Sequence, residues 1–420
     1  MQPDYNHFKL VDISFLLICL LPLAFVSGPF FPDLFISIIS LIFLYLSIKH
    51  NLWYLFKDKI ILLFLFFYII ILLSSFLSEN IYGSLKSSLF YFRFIIFAVA
   101  VGFILNNQQN FENILYKFFL IIALILILDT FFQYIFGFNV IGLEKLKSIN
   151  GVDRKITSFF GEDEILGSFL SKILPILTAL FFIQKNKDVK FINILFIVMF
   201  TLAIFLTGER TSFIQSIMFL ICFFIFSNFN KKKIFLFYIL TFLIISISII
   251  VNFDSSKKHR MLTSPISALK NGAFSPHHRS HYITAFNMFK DKVIIGHGPR
   301  SFRVLCSNKK YQYDDYSCST HPHNTYLQLL AETGVIGFFV IFILFIYFSI
   351  KLLKHQLLKI ISSRILLNNP QISMLSGLFV YIWPISPHGN FFNNWLSGVM
   401  FLQISILIYL FSKKHEVIDK

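Results

Sequence analysis

Long apolar runs recur along almost the whole chain, and they limit the possible fold more than any other feature of the sequence. About 20 consecutive apolar residues are enough for a helix to cross a membrane. Of the 420 residues, 56% are hydrophobic and 14% are charged, which is too little charge to cover a soluble protein of this size. The sequence therefore predicts an all-α polytopic membrane protein. We expect about twelve transmembrane helices, at residues 11–27, 30–48, 60–78, 88–105, 114–136, 165–183, 191–207, 211–227, 234–251, 325–350, 371–386 and 394–411.

Basic residues in the short loops indicate the orientation of these spans. The first run, 13–26, lacks a strongly basic leader and a small-residue cleavage site, so we expect it to remain as a span. With the N-terminus in the cytoplasm, the inner segments hold eighteen Lys and Arg residues and the short outer loops hold six. Basic residues in short loops resist translocation, so this bias supports the orientation. The net charge of +16 then marks topology and contact with anionic membrane lipids, and no nucleic-acid-binding motif is visible.

One hydrophilic stretch, residues 252–324, is too long to be a simple connector and is assigned to the outer face. It separates a membrane part at 1–251 from a second membrane part and a cytoplasmic C-terminus at 325–420. Loops of this length usually carry a function or are disordered. The segment 279-RSHYITAFNMFK-290 has helical apolar spacing, and 296-GHGPRSF-302 is a turn signal. We therefore expect an ordered periplasmic loop that contains short helices.

The cysteines fall into two groups. Cys19 and Cys222 lie within predicted spans, where cysteine usually serves as a small apolar residue. Cys306 and Cys318 both lie in the long loop, twelve residues apart. In an oxidising compartment they are expected to form a disulfide, and two free thiols are the alternative.

Several charged residues are predicted inside spans or at their outer ends, where unpaired charge is costly and often functional. Arg93 and Lys172 lie inside spans, and Glu332 lies about two turns into span ten. Glu209 and Arg210 form the tight outer turn 207-TGERTS-212. Snorkelling towards headgroups is the alternative for Lys172, and a solvated turn is the alternative for Glu209 and Arg210.

Arg210, Arg279 and His323 are assigned to the same face of the membrane from three separate parts of the chain. Two guanidinium groups suit a diphosphate, because each can donate two hydrogen bonds to phosphate oxygens and neither loses its charge. A histidine near its intrinsic pKa can take a proton from a hydroxyl at neutral pH. Together these groups suit the attack of an alcohol on a carbon bonded to a diphosphate leaving group.

The segment 323-HN-x9-GVIG-337 resembles the His-Asn signature of bacterial O-antigen ligases, a family related to O-antigen polymerases. The segment 157-TSFFGEDEILGSFLSKILP-175 and the helix from Arg279 into 296-GHGPRSF-302 are also similar. The resemblance implies that Arg210 and Arg279 bind a lipid-linked diphosphate and that His323 acts on the acceptor hydroxyl. It implies no metal and no cofactor.

On this basis the expected function is transfer of a glycan from an undecaprenyl-diphosphate carrier to lipid A–core, on the periplasmic side of the bacterial inner membrane. Asn324 is expected to cap span ten and fix the approach of His323. The further candidate substrate-binding residues are Asn324, Arg93, Arg300 and Glu209. A polymerase that extends the same lipid-linked glycan is the nearest alternative. A lipid-linked sugar transporter and a metal sensor built from His277, His278, His281, His321 and His323 are weaker alternatives, because no internal repeat and no recognisable ligand set is visible.

Overall fold

The structure, a computed structural model, describes residues 5–145, 155–184, 190–229, 231–270 and 276–418. Within these ranges the chain is nearly all-helical and contains no β-strand. The α-helices, in chain order, are α1 (Tyr5–Val26), α2 (Phe30–His50), α3 (Lys59–Phe76), α4 (Ile81–Ser88), α5 (Phe92–Asn107), α6 (Phe111–Phe136), α7 (Leu166–Ile183), α8 (Phe191–Thr207), α9 (Arg210–Phe226), α10 (Lys232–Phe253), α11 (Ser255–Lys258), α12 (Ser264–Lys270), α13 (Pro276–Asp291), α14 (Phe302–Leu305), α15 (Thr325–Ser362), α16 (Asn369–Tyr381) and α17 (Asn394–Ile418).

Nine helical segments of the described residues are long and apolar enough to cross a membrane, with α4 and α5 forming one of them. The helices α8 and α9 are apolar but have 17 residues each, and α16 has 13 residues. The predicted fold class, an all-α polytopic membrane protein, is confirmed. The number of twelve spans stays a prediction.

The predicted bounds of two spans differ from those in the structure. Span ten was expected to end at 350, whereas α15 continues to Ser362 and includes a non-helical residue at Gly334. Span eleven was expected to end at 386, whereas α16 ends at Tyr381. An irregular connector, residues 382–393, follows it. This connector contains Pro384, Pro387 and Gly389, and proline and glycine both disfavour the continuation of a helix.

Three helices lie at the centre of the bundle. In the most apolar stretch of 18 residues, the buried share is 72% for the segment formed by α4 and α5, 72% for α7 and 78% for α17. The corresponding share for α10 is 17%. Ala98 and Ala100 on α5 are small and fully buried, which allows close packing between α5 and neighbouring helices such as α17. Since α10 is so exposed, it forms the periphery of the bundle, where lipid rather than protein covers apolar side chains.

A proline inside α7 is accommodated by hydrogen bonds from neighbouring helices. Pro175 has no backbone N–H and interrupts the regular bonding of α7. Close to it, the Lys172 carbonyl accepts a bond from Gln403 at 2.6 Å, and the Pro175 carbonyl accepts one from Ser373 at 2.8 Å. These bonds fix α7 against α16 and α17, so the start of α7 has a defined position.

The helices of the long loop cover one end of the bundle. Lys257 donates to the Leu206 carbonyl at 2.5 Å, and Arg260 donates to the Gly208 carbonyl at 2.9 Å, so both basic groups sit at the C-terminus of α8. Cations are favourable there because the last carbonyls of a helix carry partial negative charge. On the other side of the loop, α13 packs against α15. The loop is therefore attached to the bundle at two separate places.

Candidate active site

The first part of α15 contacts the loop at Gly334, whose backbone conformation is easily adopted only by glycine. Gly334 has φ 66° and ψ −169°, and a Cβ there would lie 2.2 Å from the Ile294 carbonyl oxygen. The Val335 N–H donates to the Val293 carbonyl at 2.8 Å, and the Gly298 N–H donates to the Glu332 carbonyl at 2.8 Å. The two glycine-containing motifs of the sequence thus meet as one backbone-to-backbone contact.

Glu332, the buried carboxylate of span ten, organises the adjacent turn. It accepts hydrogen bonds from the backbone N–H groups of Arg300 and Phe302, the latter at 3.1 Å, and from Gln328 at 2.9 Å. Arg300 has a positive φ of 64°, a conformation that this turn maintains. Glu332 therefore holds the turn that presents Arg300.

His323 lies in a short segment that is connected to both α15 and the connector 382–393. The Asn324 side chain accepts from the N–H groups of Tyr326 and Leu327, each at 3.0 Å, so the predicted cap of span ten is confirmed. Its amide nitrogen donates to the Pro384 carbonyl at 2.8 Å. The His323 carbonyl accepts from the His388 N–H at 3.0 Å. These bonds determine where the imidazole of His323 points.

Three imidazoles surround that of His323. Its ring centroid lies 4.1 Å from that of His321, 5.3 Å from that of His278 and 5.4 Å from that of His281. Burial, followed by the neighbouring imidazoles, lowers the pKa of His323 to about 3. Burial likewise lowers the pKa of His321 to about 4. Within the described ranges, no group of three or more His, Cys, Asp or Glu residues is placed to hold a metal ion, so the geometry does not support the metal-sensor alternative.

A cavity of about 990 Å³ lies beside His323, between the loop and the ends of the helices. Its basic lining residues are Arg300 and Arg303 from the loop and Lys155 and Lys172, which precede or belong to α7. Three carboxylates, Asp163, Glu164 and Glu209, also line it, and Glu164 pairs with Lys155 at 2.8 Å. Part of the lining is apolar. These residues are Val26, Pro29, Phe159, Phe160, Ile165, Pro387, Trp395 and Leu396. The cavity therefore suits an amphipathic ligand with anionic groups.

Glu209, also a lining residue, caps the start of α7 and bonds to a side chain of α9. Its carboxylate oxygens accept from the Gly167 and Ser168 N–H groups at 2.7 and 2.9 Å, at the start of α7, and from the Ser212 hydroxyl at 3.0 Å. Burial raises the pKa of Glu209, and the ammonium groups of Lys155 and Lys172 are among the groups that lower it. An anion at a helix N-terminus is stabilised by the partial positive charge there.

The two arginines assigned to the diphosphate are not among the residues that line this cavity. The Arg210 guanidinium donates to the Arg260 carbonyl at 2.7 Å and to the Ser264 hydroxyl at 3.1 Å. It is close enough to contribute to the lowered pKa of His278, which burial dominates. Arg279 is exposed on α13, next to His278 in sequence. Of the cavity-lining residues, His278 is thus the one that relates to both arginines, to Arg210 through charge and to Arg279 through sequence.

Arg93, another candidate for substrate binding, is also outside the cavity lining. It forms an ion pair with Asp33 of α2 and lies 4.8 Å from the ring centroid of Phe94. Its backbone carbonyl accepts from the Ser40 hydroxyl at 3.0 Å. In this structure Arg93 joins α2 to α5.

Two lining residues were absent from the sequence-based candidates. Arg303 follows the 296–302 turn by one residue, so its proximity to that turn was the available signal. His388 comes from the connector between α16 and α17, and only the turn-forming residues around it marked that segment. Burial, followed by the Lys172 ammonium, lowers the pKa of His388 to about 3.

A disulfide joins Cys306 and Cys318, whose Cα atoms are 5.1 Å apart. Cys306 ends α14 and is buried, while Cys318 begins the segment that carries His321 and His323. The bond therefore attaches the histidine segment to the helix that carries Arg303. Arg303 also donates to the Thr320 carbonyl at 3.4 Å.

Comparison with known families identifies the central part of the chain. Residues 194–342 match the family model described as O-antigen ligase, a range that runs from α8 through the long loop to the middle of α15. A comparison with curated proteins found no match. The matched range contains Arg210, Arg279, Arg300 and His323, so it includes the loop side of the cavity. The resemblance is thereby confirmed over this range: the chain carries an O-antigen ligase domain at residues 194–342.

Proposed function

We propose that this chain transfers a glycan from an undecaprenyl-diphosphate carrier to a lipid A–core acceptor, on the periplasmic side of the bacterial inner membrane. The observation that carries the proposal is the position of His323, which lines a large cavity together with Arg300 and Arg303. The apolar part of the lining suits the start of a polyprenyl chain, and the basic part suits the diphosphate. The charge bias of the short loops and the disulfide in the long loop support a periplasmic site.

In the proposed reaction, the acceptor hydroxyl oxygen attacks the anomeric carbon that is bonded to the diphosphate. The new carbon–oxygen bond forms as the bond to the diphosphate oxygen breaks, and that oxygen leaves with the electron pair. The hydroxyl proton passes to the imidazole of His323. The chain's own groups supply the base and the cationic partners of the leaving group.

The lowered pKa of His323 suits this role in part. Its pKa of about 3 keeps the imidazole neutral, and therefore able to accept a proton, at any physiological pH. A pKa this low also makes a weak base. A bound diphosphate would raise the pKa, because a nearby anion favours the imidazolium form. His323 would then become a stronger base when the donor is in place.

Arg210 and Arg279 remain the proposed donor-binding pair, and Arg300 with Arg303 extends it into the cavity. To reach phosphate oxygens, the Arg210 guanidinium would exchange its bonds to Arg260 and Ser264 for bonds to the ligand. Asn324 and Glu209 position the site through the caps that they form.

The test is transfer from a purified lipid-linked donor, with donor binding measured separately. His323→Ala should reduce transfer about 10²–10⁴-fold, the usual range for a general base, while donor binding is largely kept. His321→Ala is the matched control: His321 bonds to the His388 carbonyl at 3.2 Å and to Thr320 at 2.9 Å, so it shapes the segment and should cost much less. Normal transfer by His323→Ala, or a loss explained by failed donor binding, contradicts the assignment.

Two further experiments test the role of the arginines in donor binding and the identity of the acceptor. Arginine-to-lysine changes at 210, 279 and 300 should weaken donor binding, because lysine keeps the charge but loses the paired hydrogen bonds. Arg364→Lys, on an exposed residue after α15, is the control and should bind donor normally. Supplying lipid A–core and a second lipid-linked glycan together should give product on lipid A–core. Product only on the lipid-linked glycan would instead establish a polymerase.

A further inference from the structure

Lys172 has a buried ammonium group without an ion-pair partner among the residues that the structure describes. It lies on α7, is 7% exposed and lines the large cavity. Its ammonium donates to the Ser168 hydroxyl at 2.6 Å and to the Ser168 carbonyl at 3.3 Å. The Tyr381 ring lies 5.4 Å away and supplies a cation–π contact. These neutral partners offset only part of the cost of removing an ammonium group from water.

Glu209, the carboxylate whose charge acts on Lys172, already has hydrogen-bond partners. Glu209 uses its oxygens for the Gly167 and Ser168 N–H groups and the Ser212 hydroxyl. No salt bridge between Glu209 and Lys172 occurs within 4.0 Å in the described part of the chain. Glu209 therefore compensates Lys172 only from a distance, and the ammonium lines the cavity without an ion-pair partner of its own in the described part of the chain.

His388 provides a second, independent indication of a ligand. Its ring nitrogen Nε2 is buried and has no hydrogen-bond partner, although the residue lines the cavity. Buried polar atoms normally have partners, so such an atom needs an explanation. Lys172 is close enough to contribute to the lowered pKa of His388, after burial. The ring already donates to the Trp383 carbonyl, and Nδ1 must be the donor because Nε2 has no partner. In the neutral imidazole Nε2 is therefore an acceptor, and a hydroxyl group of a bound sugar would satisfy it.

The arginine wall of the cavity consists of Arg300 and Arg303, which belong to the loop. The Lys172 wall consists of Lys172 and Ser168 on α7 together with His388 from the connector 382–393. The basic residues of the cavity thus belong to two sets on different elements.

We propose that Lys172 and Ser168 form a second anion subsite, which binds a carboxylate or phosphate carried by a sugar of the substrate, while His388 Nε2 accepts a hydrogen bond from a hydroxyl of that sugar. The proposal rests on the proposed function, because it assumes that a glycan occupies the cavity. The arginine wall receives the diphosphate at the reducing end, and the Lys172 wall receives a charged sugar further along. The subsite would make the enzyme selective for acidic glycans.

The test uses direct binding, so it does not depend on transfer. The purified full chain is titrated calorimetrically with glucuronate, with glucose 6-phosphate and with uncharged glucose. The wild-type chain should bind one or both charged sugars at least about tenfold more tightly than glucose, as expected for charge-assisted hydrogen bonds. The two charged sugars distinguish the kind of anion that the subsite binds. A preference for glucuronate indicates a carboxylate, and a preference for glucose 6-phosphate indicates a phosphate.

Lys172→Met should abolish this preference while inorganic diphosphate still binds. Lys351→Met is the matched control, since Lys351 also lies over aromatic rings but outside the cavity, and it should retain the preference. If Lys172→Met does not fold, Lys172→Gln replaces it. An unchanged preference in the Lys172 variant, no preference in the wild type, or joint loss of diphosphate binding would overturn the subsite. If the subsite is confirmed but no transfer occurs, the proposed function fails independently.

Discussion

A methyl group added at Gly334 tests the backbone contact on which the arginine wall depends. With φ 66° and ψ −169°, Gly334 occupies a region that is essentially restricted to glycine. The added Cβ of Gly334→Ala would lie 2.2 Å from the Ile294 oxygen and 2.3 Å from its carbonyl carbon. Both atoms are backbone, so relief requires α15 and the loop to move apart. No side-chain rotation can remove the overlap.

The expected cost follows from the conformation and from the bonds at risk. A non-glycine residue in this region costs about 1–3 kcal/mol. Separation would also weaken the bonds Val335 N–H to Val293, Gly298 N–H to Glu332 and His297 N–H to Ala331, of 2.8, 2.8 and 3.0 Å. Each bond contributes about 0.5–1.5 kcal/mol. Between retention and loss of the three bonds, we therefore expect Gly334→Ala to destabilise the protein by about 1–7.5 kcal/mol.

The assay is thermal unfolding in detergent combined with donor binding, because displacement of the turn moves Arg300. Gly296→Ala should behave similarly, since its φ is 72° and its Cβ would lie 2.5 Å from the Glu332 carbonyl carbon. Gly102→Ala is the control: Gly102 lies in a helix, and its Cβ would meet no atom within 4 Å. If Gly334→Ala unfolds at the wild-type temperature and binds donor equally well, the contact does not set the position of Arg300.

Two further predictions concern acid and reduction. Burial lowers the pKa of His321 to about 4 and the pKa values of His323 and His388 to about 3, whereas these residues titrate near 6.5 when unfolded. As the pH drops, the unfolded chain therefore takes up protons before the folded chain does. The free energy of unfolding should fall as the pH drops from about 6.5 towards 4. Thermal unfolding at a series of pH values measures this, and a flat profile across that window would contradict the neutral cluster. Cys306 and Cys318 should resist alkylation until a reductant is added, and loss of their bond should cost about 3 kcal/mol, the usual value for a loop of this length. Mass spectrometry that finds both thiols alkylated without reduction would exclude the bond, and with it one argument for a periplasmic loop.

Most of the helices could be predicted because the apolar runs are long and end at polar or turn-forming residues. Asn324 is an example, since its side chain caps α15 as its position before an apolar run suggested. The predicted end of α16 was wrong: Pro384 already disfavours a longer helix, and residues 382–384 are bonded to the start of α15 instead of extending α16. Tyr326, for instance, donates to the Ile382 carbonyl at 2.7 Å. A partner distant in sequence decided this boundary.

For the candidate site, the sequence located the correct segments but did not determine which side chains face the cavity. His278 and Arg279 are adjacent on α13, and successive helical residues point about 100° apart. Only His278 lines the cavity, and Arg279 is exposed. The rotation of α13 depends on its packing against α15, which a single sequence does not reveal. The same reason applies to His388, which is brought to His323 by a backbone bond across the fold.

The short helix α16 has a consequence for the depth at which the chemistry would occur. Thirteen helical residues rise about 20 Å, whereas the hydrocarbon layer is about 30 Å thick. If α16 starts at the cytoplasmic surface, the connector 382–393 begins about 10 Å below the opposite surface. Irregular backbone is tolerated at that depth only where protein or water-filled space surrounds it. The cavity would then be a wet depression sunk into the outer leaflet, and a polyprenyl diphosphate could enter it sideways without its chain leaving the lipid.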